Sequence, residues 1–296
     1  MMGRVIGIGA GVATHLLFGA TVWFLVRFLA GWNGPPSGSS AAGQFSVNTL
    51  LAAQFAVSHS LLLYPAVRER LTEWIPSAFY GCFFCVATCV SLLATIACWQ
   101  VSPTVVFEWT GAGRLFVQAG FIACWAALLY SLNLTGLGWQ TGLTPWLAWV
   151  RRQPAPRREF APRGAYRLIR HPVYLSFLGL IWLTPVVTLD RAVLIVLWTV
   201  YIGVGSVLKD QRLLYFLGDR YRDYQSRVPG YPLMWYGPLG RIPLASVTDA
   251  GATVPVPMDP PRLSPAATSR DESTARSTIP LGRRLVEPQS SRRRAA

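Results

Sequence analysis

The chain has 296 residues, of which 52% are hydrophobic and only 14% charged, and its mean hydropathy is +0.36. Soluble domains carry about 25% charged residues, so the composition excludes an ordinary water-soluble protein and points to lipid as the main solvent. The net charge of +14 sits in loops between apolar runs and towards the C-terminus. There Arg and Lys set membrane topology and meet anionic headgroups. No folded basic module accompanies it, which argues against nucleic-acid binding.

A crossing of the hydrocarbon core needs about 20 apolar residues. A single Arg precedes the first such run, residues 5–30. The run lacks a small-residue cleavage site and so reads as a retained transmembrane helix. An uncharged Gly/Pro/Ser loop (34–43) leads to a second span at 45–66. Arg68, Glu69, Arg70 and Glu73 separate it from a third at 78–99. A short loop with Glu108 and Arg114 precedes a fourth at 115–134. A long polar stretch follows (138–170), with Arg151, Arg152, Arg157, Arg158, Arg163 and Arg167. Residues 172–189 and 192–208, joined by Asp190 and Arg191, read as a tight helical hairpin of two short spans.

The expected fold is therefore an all-α, polytopic membrane helical bundle of about six transmembrane helices, with a C-terminal helical hairpin and a disordered tail. The stretch 138–170 is the most basic loop and belongs in the cytosol, with Arg68, Arg70 and both termini. A bacterial inner membrane suits this arrangement. Residues 209–224 turn polar with apolar positions at helical spacing, as in an amphipathic or cytosolic helix. From about residue 246 the chain is rich in Pro, Ser, Thr and Arg and cannot bury a core. Two regions follow: a membrane-embedded domain at 1–245 and a disordered basic tail at 246–296, where Arg292, Arg293 and Arg294 can meet anionic lipid.

The five cysteines, Cys82, Cys85, Cys89, Cys98 and Cys124, fall in apolar runs. Cys82, Cys85 and Cys89 share one helix face and read as small helix contacts, with no metal site assigned. The densest polar cluster is Gly164-Ala165-Tyr166-Arg167-Leu168-Ile169-Arg170-His171-Pro172-Val173-Tyr174, where the basic loop enters a membrane helix. Pro172 suits a first helical turn. Arg170 and His171 thus sit beside exposed N-terminal amides, a corner suited to a carboxylate or phosphate. An interfacial Arg/Tyr belt is the plainer reading of the same residues. His59, between Ser58 and Ser60, is a polar residue within a span, and such residues usually face the bundle interior. His15 has no motif around it and reads as structural.

Two segments resemble known proteins. Gly164-x-Tyr166-Arg167-x-x-Arg170-His171-Pro172-x-Tyr174, a helical hairpin, and Gly218-Asp219-Arg220-Tyr221-x-x-Tyr224-x-x-x-Val228-Pro229 are similar to the C-terminal half of the isoprenylcysteine carboxyl methyltransferase superfamily. Gln54-Phe55-Ala56-Val57-Ser58-His59-Ser60-Leu61 and Asn133-Leu134-Thr135-Gly136-Leu137-Gly138-Trp139-Gln140 resemble the nurim/NnrU group, which includes methanethiol S-methyltransferases that make dimethyl sulfide. The resemblance covers roughly residues 40–235. It implies an S-adenosyl-L-methionine-dependent membrane methyltransferase whose cofactor pocket lies between the Arg170 corner and the segment after the hairpin.

On that basis Arg170 is expected to hold the methionine carboxylate, and Asp210 the amine or ribose hydroxyls. Tyr166, Tyr174 and Tyr221 are expected to meet adenosine, with Gly164 and Pro172 completing the motif. A thiol reacts as its thiolate, so His59 and His171 are the candidate bases, His171 chiefly as a cofactor-pocket residue. Lys209-Asp210 stands where the superfamily usually carries Glu-Glu, and Ser58 where a Gln commonly precedes the His. The acceptor implied is a small thiol such as methanethiol. A lipid-like or isoprenylcysteine-like acceptor suits the same geometry, and a non-catalytic, nurim-like membrane protein is the reading from another class.

Overall fold

The computed structural model describes residues 2–243 apart from 33, 157 and 158. The expected tail at 246–296 and the boundary at 245 lie outside the described residues. Helices α1 (Met2–Leu29), α2 (Ala41–Leu63), α4 (Ser77–Cys98) and α5 (Gly111–Thr135) realise the first four spans. A ten-residue surface helix, α3 (Pro65–Trp74), lies between α2 and α4. The chain breaks at Tyr64, whose extended backbone precedes Pro65, because a residue before proline is steered away from helical angles. Two short helices, α6 (Leu137–Gln140) and α7 (Leu143–Arg151), occupy the polar stretch. Gly136 and Gly142, both at φ +79°, make the turns before them.

The C-terminal part departs from a simple hairpin. Helix α8 (Pro172–Trp182) has only 11 residues. The chain then runs into a strand, β2 (Val186–Thr188), which pairs antiparallel with β1 (Val105–Glu108). Asp190 and Arg191, expected in a loop, lie buried in the first turn of the 29-residue helix α9 (Leu189–Leu217). Asp190 accepts from Trp99 Nε1 at 3.0 Å, the Ser102 amide at 3.0 Å and the Thr188 hydroxyl at 2.7 Å. Those donors fix the helix start and satisfy a carboxylate that could not otherwise be buried. The polar segment after residue 208 is not a separate helix either. It extends α9 to Leu217, and α10 (Asp219–Arg227) follows at once.

Among the described residues, five helices, α1, α2, α4, α5 and α9, are long and apolar enough to span a bilayer. Helix α8 rises about 16 Å, and the extended residues after it add about 20 Å. The helix alone is shorter than a core about 30 Å thick, and the extended residues after it pair with β1 in the loop after α4. The connections sort to two ends. The Ser37 amide donates to Val101 O at 2.9 Å, and Trp109 N to Pro185 O at 2.9 Å, gathering the loops after α1, α4 and α8 at one end. Arg4 donates to Val150 O at 2.8 Å at the other.

Packing follows the same logic. Helix α5 lies against α8, α1 against α4, and α2 between α4 and α9. Leu128, Leu180, Leu194, Ile195 and Ile202 form the apolar core between α5, α8 and α9. Lipid supplies no hydrophobic drive between spans, so close approach and polar contacts hold them. Gly11 of α1 lies so near the Trp146 indole that no Cβ would fit. Asn48 of α2 donates to Gln100 O at 2.9 Å and accepts from Gln100 N at 2.8 Å. The buried Cys82, Cys85 and Cys89 line one face of α4, and Cys82 Sγ reaches Gly142 O at 3.8 Å. His15 turns back to Gly11 O at 2.6 Å and packs on Trp146.

Candidate active site

The site is built around a buried charge. Ile202, Ser206 and Asp210 recur every fourth residue on the inward face of α9 and are all buried. Asp210 meets Arg170, whose Nε and Nη2 approach Oδ2 at 3.1 and 3.0 Å. It also accepts from the Tyr221 hydroxyl, while His171 Nε2 lies 3.3 Å from Oδ1. Burial, reinforced by the Asp210 charge, pushes the Tyr221 phenol upward, so it stays a donor.

Arg170 is 1% exposed. Its remaining N–H groups point to backbone carbonyls: Nη1 to Val228 O at 2.8 Å and Gly240 O at 2.9 Å, Nη2 to Pro238 O at 3.1 Å. A guanidinium has five donors, and all five have protein acceptors here. Arg170 thereby ties the segment 228–240 to the start of α8. The backbone adds two bonds, Arg170 N to Pro229 O at 2.8 Å and His171 N to Gly230 O at 3.2 Å.

His171 is fully buried and its ring stacks on Tyr174, centroids 5.6 Å apart and 6° from parallel. Burial holds its imidazole below the ordinary value of 6.5, overcoming the opposite pull of Asp210. Its Nδ1 has no hydrogen-bond partner among the described residues. Pro172 occupies the first turn of α8 as expected. Gly164 opens a short 3-10 turn, Gly164–Arg167, at φ +54°. A Cβ there would press on the Tyr130 hydroxyl, so this glycine serves backbone shape and close packing. Tyr166 is buried, and its carbonyl accepts from the Tyr224 hydroxyl. The Lys209 ammonium lies 5.8 Å from the Tyr166 ring centroid and 5.0 Å from that of Tyr174.

His59 lies on α2 within an aromatic group of its own. Its ring stacks on Phe55 at 5.5 Å and tilts against Phe84 at 5.3 Å, and Nδ1 lies 3.4 Å from the Thr88 hydroxyl. Phe55 continues the aromatic wall to Trp198 and Tyr201 of α9, at 5.1 and 6.3 Å. Ser60 bonds the Tyr201 hydroxyl at 3.3 Å. Through Phe55 and Ser60, Tyr201 ties the His59 segment of α2 to α9, the helix that carries Lys209 and Asp210. Tyr201 was not singled out from sequence, although Tyr201, Lys209 and Arg212 do share one helical face of α9. Tyr231 was also missed. It bonds Ser206 and packs on His171 at 5.5 Å, but its partners are remote in sequence and carry no motif. A cleft of about 340 Å³ beside Arg27, Trp32 and Pro35 belongs to the opposite end, where the loops after α1 and α4 meet.

The chain is 30% identical over 234 residues to a methanethiol S-methyltransferase of Mycobacterium tuberculosis, covering 77% of this chain and 96% of that protein. The chain belongs to the nurim and methanethiol S-methyltransferase family. Methanethiol S-methyltransferase 1 of Bradyrhizobium diazoefficiens is 27% identical over 74% of this chain and 79% of its own length. Nurim of Rattus norvegicus is 24% identical over 66% of this chain and 78% of its own. No family model and no solved structure matches the chain. This member of the family is an integral membrane protein.

Proposed function

We propose that this nurim-family protein is an S-adenosylmethionine-dependent thiol methyltransferase that converts methanethiol to dimethyl sulfide. One observation carries the reading: Phe55 and Ser60, which flank His59 on α2, meet Tyr201 of α9, the helix whose Asp210 pairs with Arg170, so a candidate base and the motif corner at Arg170 are held by one helix. The names of the relatives supply the acceptor.

The residues present suit the donor in two respects. His171 Nδ1 is a buried polar atom with hydrogen-bonding capacity to spare among the described residues. The Tyr166 and Tyr174 faces hold a cation between them, and such faces accept an ammonium or sulfonium group. S-adenosylmethionine would supply the methyl group on a sulfonium sulfur, which keeps the bonding electron pair when the thiolate takes the carbon. His59 takes the thiol proton. Phe55, Phe84, Trp198 and Tyr201 exclude water and favour a small apolar acceptor over a charged one. Arg170 and Asp210 hold the corner rigid, and His171, kept neutral by burial, presents a ring nitrogen to the donor.

We place the Arg170 end in the cytosol of a bacterial inner membrane, with both termini, since the basic loops gather there. We take residues 1–245 as the enzyme and 246–296 as a basic tail.

The test is headspace dimethyl sulfide from detergent-purified protein given S-adenosylmethionine and methanethiol, together with donor binding by calorimetry. Turnover that requires both substrates supports the reading. A folded protein that neither binds the donor nor releases dimethyl sulfide refutes it and favours a non-catalytic role like the one considered for nurim-type chains.

A further inference from the structure

The end of the bundle opposite the Arg170 corner holds a cleft of about 340 Å³ that methyl transfer does not use. It opens between the ends of α1 and α4 and the loops that follow them, and Phe24, Arg27, Trp32 and Ala97 line it. Phe28 and Trp99 supply its buried wall, packed edge to face at 5.6 Å. Trp99 has no donor to offer there, since its indole N–H goes to Asp190. The other charged residues at this end are matched. Arg114 meets Glu108 at 3.4 Å, Asp190 has three donors, and Arg191 gives its guanidinium to the Phe28 carbonyl and ring face. Arg27 is exposed, and its guanidinium has no partner among the described residues. The indole N–H of Trp32, a side chain 62% exposed, has none there either. The last turn of a helix suits a cation, which accounts for a charge at residue 27 but not for unspent donors lining an aromatic cleft.

Phe24 and Ala97 belong to membrane-spanning helices, whereas Trp32 belongs to the loop after α1. The cleft therefore runs from the edge of the hydrocarbon into the headgroup layer, the level that Trp side chains favour. Its volume is at the lower end for small-molecule sites, about 300–1,000 Å³, so it suits a headgroup and the start of one chain. We infer that this cleft is a binding site for an anionic phospholipid of the surrounding bilayer. The Arg27 guanidinium takes the phosphate, a pairing its planar fork favours, and the Trp32 indole donates beside it. One acyl chain follows Phe24 and Ala97 into the hydrocarbon, where a soluble anion would leave the apolar wall unused. The inference is independent of the methyltransferase reading.

The probes are dioleoyl phosphatidylglycerol, zwitterionic dioleoyl phosphatidylcholine and water-soluble glycerol phosphate. Each is titrated onto the delipidated full chain in detergent, and bound molecules are counted by native mass spectrometry. Wild type should hold a single phosphatidylglycerol more tightly than any phosphatidylcholine, and glycerol phosphate should compete poorly. Arg27→Gln should weaken that lipid about 10-fold, the loss of one charge-assisted contact. Ala97→Trp fills the cleft while keeping the guanidinium, and should remove the tight site. Both variants are checked for an unchanged thermal transition without lipid. Equal phosphatidylglycerol affinity in Arg27→Gln and wild type would overturn the inference, as would equal affinity of wild type for the two lipids. Glycerol phosphate that binds wild type as tightly as the lipid would overturn it in favour of a soluble-anion site. If Ala97→Trp does not fold, Arg27→Gln and the soluble probe decide, since Arg27 is exposed and its truncation should leave the fold intact.

Discussion

Replacing Arg170 by Lys keeps the charge and removes the fork. A guanidinium offers five N–H donors in a fixed plane, an ammonium three on a flexible stem. The five donors of Arg170 serve Asp210 twice and the carbonyls of Val228, Pro238 and Gly240. At least two of these contacts must be lost in Arg170→Lys, and the site is closed to solvent. Each buried acceptor left without a partner costs about 1–3 kcal/mol, so the substitution should destabilise the protein by about 2–6 kcal/mol. Total stabilities lie at about 5–15 kcal/mol, which makes this a large fraction. The loss should be local at first. The amides at positions 170 and 171, which donate to Pro229 O and Gly230 O, and that of Gly230, which donates to Leu239 O at 2.7 Å, should exchange hydrogen much faster in the variant. The assay is hydrogen exchange by mass spectrometry on ligand-free protein, with thermal unfolding alongside. A variant within about 1 kcal/mol of wild type, with unchanged exchange at these amides, would refute the structural role. It would return Arg170 to the carboxylate-binding role that its motif implies.

Asp210→Asn removes the countercharge from a buried guanidinium, and breaking such a pair costs about 3–5 kcal/mol; a melting temperature matching wild type would show the pair to be dispensable. Gly164→Ala should destabilise by at least about 1–2 kcal/mol, since φ +54° is unfavourable for any residue with a Cβ and the Tyr130 hydroxyl stands in the way. His59→Ala should lower dimethyl sulfide formation by about 100-fold or more across about pH 6 to 9 while leaving donor binding intact; full turnover throughout would exclude a base at this position. His171 predicts a pH dependence of stability. Its imidazole is held below 6.5 by burial, so the unfolded chain binds the proton more readily than the folded one. The contribution is present above 6.5 and is lost as pH falls from there through the folded value. Unfolding temperatures measured down that range should fall in wild type and fall less in His171→Gln; identical slopes would remove His171 as the cause.

Composition alone settles the solvent, because 14% charged residues cannot cover a soluble fold. The run lengths settle four long spans to within a few residues at most boundaries. Helical spacing, a turn-favouring Pro172 and a polar His59 within an apolar run mark both halves of the site. The motif residues Tyr166, Arg170, His171, Tyr174, Asp210 and Tyr221 do come together. Other features depend on partners distant in the chain. Asp190 and Arg191 look like a loop because charges avoid lipid, yet Trp99 and Ser102, far away in sequence, make Asp190 a helix start. Helix α8 ends early, three residues before Pro185, a breaker the sequence does carry, but no local pattern announces that its extension pairs with β1. The role of Arg170 depends on carbonyls from 228–240, and a carbonyl leaves no trace in a sequence. Tyr201 is an ordinary helix residue until α2 packs on α9 and sets Phe55 and Ser60 against it. Local patterns are written in residue type and spacing, so the sequence determines which segments enter the membrane and which side chains are chemically unusual. Which of those side chains are already satisfied by the protein, and which are left to meet a ligand, is a matter of long-range hydrogen bonding that only the tertiary structure decides.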